Sequence, residues 1–215
     1  MMKSSHGKPV FPIWLIGDSN PKNWEEYLKY PFDPRHPIVH NIWTSVLDVV
    51  QRELYKKNGK RLNAEDIYIR NAIKKAASKP KGNEINWSIE IKAKQASLKG
   101  LINKYKPTMI LTFGAFAYEF VRRVRDMGPE RRYGYYWTTA KLSAEFGEAI
   151  NNFDVRDINI FPLLHRSIAG RYLKISHQRF SNDVKGNYFE YVGVRLAKVI
   201  SDKPLNEKIF VSKMT

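Results

Sequence analysis

Three short polar clusters stand where apolar runs end: Asp18-Ser19-Asn20, Asn71, and His165-Arg166-Ser167. Each has an ordinary structural reading. Asn20 before Pro21 suits a turn, Asn71 suits a cap on the segment that follows, and a lone histidine after a strand is often structural. Together they gain meaning. If the preceding runs are parallel strands, all three clusters share one sheet edge, and an Asp or Asn, a second Asn and a His on one rim make a candidate active site.

The elements that must position them can be read from periodicity. Ile13 to Ile16 is a short apolar run closed by Gly17 and turn formers, which fits a buried parallel strand. Pro31-Phe32-Asp33-Pro34-Arg35-His36-Pro37 holds three prolines and reads as a long, stiff loop. Apolar residues repeat at three and four positions from Ile38 to Tyr55, predicting a helix. Ile67-Tyr68-Ile69 reads as a second strand and Lys74 to Asn86 as a basic loop. Ser88 to Tyr105 is a helix, and Thr108 to Phe113 a third strand. Gly114 closes that strand and Ala115 to Val124 continues as a helix, a junction whose backbone N–H groups face whatever lies above the sheet. Arg122 to Tyr136 is rich in arginine and tyrosine and low in regular pattern. Ile158 to Leu164 is the fourth strand, Tyr188 to about Ile200 the last helix, and the tail after Lys203 looks peripheral. Alternating strands and helices predict one domain over residues 1–215, with a core of about 10–202. The expected fold is a three-layer α/β/α sandwich around a mainly parallel four-stranded sheet.

Composition narrows the function. Hydrophobic residues at 43% and aromatics at 13% are globular values. With no cysteine there is no disulfide framework, cysteine-held zinc or cysteine-held iron–sulfur cluster. No run is long enough to cross a bilayer, and the polar N-terminus lacks a signal peptide's apolar core, so a cytosolic protein is expected. Lys and Arg total 37 against 21 acidic residues, a net charge of +16, which points to a polyanionic partner such as nucleic acid.

Two families share features with the first loop. Gly17-Asp18-Ser19 resembles the nucleophile block of SGNH-type serine esterases, which would make Ser19 the nucleophile. That chemistry needs an Asp three residues before its His, and His165 has Pro162 there while His177 has Lys174. The larger resemblance is to the uracil-DNA glycosylase superfamily, from Trp14 to about Lys174. Asn20-Pro21 is similar to the Asn-Pro of the first motif in the mismatch-specific and single-strand-selective branches, and Pro31-Phe32 to the Pro-Phe of the thermophilic branches. His40-Asn41-Ile42-Trp43 resembles the His-x-Phe-Trp that begins the next helix. Ile67 to Lys74 resembles the second-strand segment ending in the base-reading asparagine, and Lys106 to Gly114 the lysine-proline strand and glycine. Leu164-His165-Arg166-Ser167 sits where His-Pro-Ser is usual, with Arg166 in place of the proline.

The resemblance implies a monofunctional DNA N-glycosylase that flips out uracil or a related damaged base and hydrolyses its N-glycosidic bond. Asn20 would orient the attacking water, with Asp18 as the alternative, acting as general base. His165 would donate a hydrogen bond to the departing base, Asn71 would read it, and Phe32 would stack on it. Arg166, Ser167, Ile168 and Arg171 after His165, with Lys74 and Lys75, would contact DNA, Ile168 or Arg171 serving as the wedge. Lys79, Lys81 and Lys174 belong to the same basic surroundings. No metal and no cofactor are expected, and the expectation is a monomer in the cytoplasm, nucleoid-associated in a prokaryote. A non-catalytic nucleic-acid-binding relative of the same fold is the alternative.

Overall fold

The computed structural model describes residues 3–21, 24, 27–36, 38–165, 171–182, 187–202 and 209–211, without the side chains of residues 40, 41 and 171–173. Five strands form one sheet: β1 (Ser5–His6), β2 (Ile13–Gly17), β3 (Tyr68–Asn71), β4 (Met109–Phe113) and β5 (Asn159–Leu163), in the order β1-β3-β2-β4-β5. The last four run parallel, matching the four expected strands. The fifth strand corrects the count. It is a two-residue polar segment pairing antiparallel with the edge of β3, Ser5 opposite Arg70, and it carries no apolar run to announce it.

Every residue of β2 and β4 is buried, so neither strand alternates in polarity. A π-helical turn, Val39–Trp43, leads into α1 (Thr44–Asn58), and a left-handed Gly59 stops that helix three residues beyond the expected end. Ser88 caps α2 (Ile89–Tyr105), accepting from the Ile91 N–H at 3.4 Å. After α3 (Gly114–Val124) come α4 (Tyr133–Tyr136) and α5 (Thr139–Asn151), then α6 (Arg171–Ser181) and α7 (Tyr188–Asp202). The α2 layer meets one sheet face, where Trp14 packs 6.4 Å from Tyr105. Phe113 carries the other face, its ring 6.3 Å from Trp43 at the foot of α1. α7 lies against α1 with Gly193 over Val49, where a β-carbon would come within 2.5 Å of the valine. Among the described residues no helix is long and apolar enough to cross a membrane.

The order fixes where a ligand belongs. From β2 the chain moves outward to β3, then crosses back past β2 to β4, so the sheet reverses direction between β2 and β4. In open α/β sheets the crevice at the carboxyl ends of such neighbours is the binding place.

His177 of α6 contributes to stability in a pH-dependent way. Its ring lies 4.9 Å from Tyr188 and 5.0 Å from Phe189, and its Nε2 is buried without a partner. Burial holds its pKa below the ordinary 6.5. As pH falls the unfolded chain therefore takes up this proton first, and stability present above about 6.5 drains away below it. The thermal midpoint is expected to fall between neutral pH and mildly acidic pH, and His177→Phe is expected to flatten that slope, as a melting series across pH would show.

Candidate active site

The ends of β2 and β3 are held in register beyond the sheet itself. Gly17 lies opposite Asn71. The Ala72 N–H then donates to the Gly17 carbonyl at 2.8 Å, Ile73 N–H to Asp18 at 3.2 Å, and Asn20 N–H to Lys74 at 3.4 Å. This continued ladder brings two asparagines together that are far apart in the chain. Asn71 Nδ2 donates to Asn20 Oδ1 at 2.7 Å, and the two residues are 8% and 1% exposed. Asn71 Oδ1 is buried with no partner. An unmatched buried acceptor costs about 1–3 kcal/mol, which a ligand N–H would relieve.

Phe32 closes over this carbonyl. A β-carbon on Gly17 would lie 2.3 Å from Asn71 Oδ1 and 2.5 Å from Phe32 Cε2, so the strand end has no room for any side chain. Phe32 itself adopts a left-handed backbone, φ 56°, unusual for an aromatic residue. Asp33 holds that turn. Its carboxylate accepts the Lys29 and Arg35 N–H groups, both at 3.0 Å, and pairs with the Arg35 guanidinium at 2.8 and 2.9 Å. The Arg35 hydrogen bonds keep its carboxyl well below the usual carboxylate range. Behind Phe32, the His36 ring stacks nearly parallel at 5.7 Å, and Phe113 packs at 5.0 Å.

Asp18 has a different set of neighbours. One carboxylate oxygen is ion-paired with Lys79, and the other, Oδ1, is buried without a partner. The Lys79 ammonium also lies 5.1 Å from the Phe116 ring of α3 and 5.4 Å from Tyr133 of α4. Tyr133 anchors this corner by donating to the Pro80 carbonyl at 2.6 Å, and burial, with the Asp18 charge second, pushes its phenol pKa up. Asn20 and Asp18, alternatives in the sequence, are thus bound into separate networks.

His165 follows β5 and packs on the first residue of α3. Gly114 has φ +87°, and a β-carbon there would stand 2.6 Å from the His165 β-carbon. Among the described residues no side chain caps the start of α3. The strand end before His165 is fixed from α7: the Leu164 N–H donates to the hydroxyl of fully buried Tyr188 at 2.9 Å. Tyr188→Phe keeps the ring but leaves that N–H unmatched, so a stability loss of about 1–3 kcal/mol is expected in chemical denaturation.

Other expected residues divide in three. Lys74 and Lys75 are exposed on the loop beside Asn20, whose backbone bridges to Lys75. Arg166, Ser167 and Ile168 lie outside the described residues, as does the side chain of Arg171. Ser19 is half-buried, and no described hydrogen bond links it to a histidine. Sequence reasoning missed the Asp18–Lys79 pair, the His36 stack and the Asp33 staple. Only the last had a local signal, a carboxylate two residues before an arginine within a proline turn.

Strand order and rim together define an α/β/α protein whose polar side chains gather at the topological switch point. The sequence model of the uracil DNA glycosylase superfamily matches residues 5–192, and the chain belongs to that superfamily. No curated protein matches it.

Proposed function

We propose that the protein is a DNA N-glycosylase that releases uracil or a related damaged base by water attack at the anomeric carbon. The observation that carries this is the Asn71 amide, pinned by Asn20 through its nitrogen, its unmatched carbonyl oxygen buried beside the Phe32 edge over Gly17. A pyrimidine with an N–H flanked by carbonyls, stacked on Phe32, would give that oxygen its donor and the amide nitrogen a second acceptor.

In this reading the glycosidic bond breaks toward an oxocarbenium-like sugar and an anionic base. His165 donates a hydrogen bond to the base oxygen that gains charge, as donors do in an oxyanion hole. Asn20 orients the water, because it is the residue tied to the base-reading amide. Asp18, paired with Lys79 and keeping one oxygen unmatched, places negative charge near the sugar and accepts the water's proton after attack. DNA is the partner that the +16 charge favours. Incubation with single- and double-stranded oligonucleotides bearing deaminated or alkylated bases, followed by hot alkali, tests the proposal. Strand scission at the damaged position supports it. Intact strands with every such base, alongside salt-sensitive binding, would make the protein a binding relative instead.

A further inference from the structure

A concave feature lies at the carboxyl end of β3, and Asn71 of the site described above is among the residues that line it. Ser4, Pro31, Arg70, Ile73, Lys74 and Lys94 help to line a cavity of about 370 Å³, within the size range of small-ligand sites. Its charge is one-sided. Three of the lining residues are cations and none is a carboxylate. Among the described residues, no ion pair involves Arg70, Lys74 or Lys94. Arg70 is partly buried, its Nε is buried without an acceptor, and the Tyr68 hydroxyl is a polar partner of its guanidinium. An arginine whose Nε is buried without an acceptor and whose charge has no carboxylate partner among the described residues is well placed to pair with an arriving anion. Ala72, Ile73 and Pro31 supply an apolar wall beside the cations, more than a bare phosphate needs.

We propose that this cavity is a nucleotide-phosphate subsite, Arg70 and Lys94 gripping the phosphate while the apolar wall receives its sugar. Arginine suits this task because its planar fork matches two phosphate oxygens. Asn71 also lines the cavity, so a phosphate bound here sits next to the residue assigned to base reading. Taking the phosphate from a DNA strand rests on the glycosylase reading; a free mononucleotide carries the same chemistry.

The test titrates the full-length protein, Arg70→Gln and Lys94→Gln. The probes are a uracil-containing single-stranded oligonucleotide at several salt concentrations, deoxyuridine monophosphate and deoxyuridine. Lys94 is exposed on α2, so its variant folds even if the Arg70 variant does not. If the source is DNA, each variant binds the oligonucleotide more weakly, and the slope of log affinity against log salt shrinks by roughly 0.7 per lost contact. If the source is a free nucleotide, the monophosphate binds better than the nucleoside, and the variants lose that preference. Unchanged slopes together with no preference for the monophosphate would overturn the subsite. Weakened binding by the variants in a protein that releases no base would remove the glycosylase reading and leave the subsite standing.

Discussion

Asn20→Ala is expected to slow base release by about 10²–10⁴-fold, the range for losing a positioned group that manages the attacking water. Two effects combine. The water loses its amide, and Asn71 Nδ2 loses the acceptor that holds it at 2.7 Å, so the base reader is loosened too. Because Asn20 is only 1% exposed, the variant is also expected to lose about 1–3 kcal/mol of stability from the stranded amide. Single-turnover rates taken well below the melting transition separate the two. Asp18→Asn is the informative companion, since it retains shape while removing the charge that pairs with Lys79. A much milder loss than that of Asn20→Ala would assign the water to Asn20. The reverse ranking would move that role to Asp18.

Gly17→Ala is expected to cost about 10²-fold in rate without touching any reacting group, the penalty known for displacing a bound geometry by about 1 Å. The added methyl would stand 2.3 Å from the Asn71 carbonyl and 2.5 Å from the Phe32 ring. Neither neighbour can yield easily. Asn71 is fixed by its ladder to β2 and its bond to Asn20, while Phe32 packs against His36 and Phe113 in a turn stapled by Asp33. The sheet should survive, because an overpacked site typically costs about 1–3 kcal/mol. Circular dichroism is expected to be unchanged while activity falls. A variant with wild-type rates would mean that Phe32 and Asn71 need not meet over Gly17.

Much of the fold was legible in the sequence. β2 and β4 declare themselves as apolar runs between turn formers, and the ends of those strands locate Asn20, Asn71 and His165 on one rim. What could not be read depends on distant pairing. The Asp18–Lys79 ion pair joins residues 61 apart, and Lys79 belongs to a loop whose lysines look alike in sequence. The Asn20–Asn71 bond requires knowing that β3 lies directly beside β2 in a particular register. α5 escaped notice because its buried face is only Leu142 and Phe146, too thin a stripe to set a period. α6 is polar or charged at most of its positions, so its few apolar residues do not stand out as a stripe in the sequence. β1 is two polar residues recruited by an open edge.

Detection of the free base decides whether the protein is a glycosylase. Wild-type protein is mixed in excess with an oligonucleotide holding one uracil, and both products are quantified by mass spectrometry. Free uracil and an abasic strand are expected in equal amounts, the phosphodiester backbone uncut until alkali is added. An intact uracil-containing strand after prolonged incubation, in single- and double-stranded substrates alike and with the other deaminated and alkylated bases, would contradict the glycosylase reading.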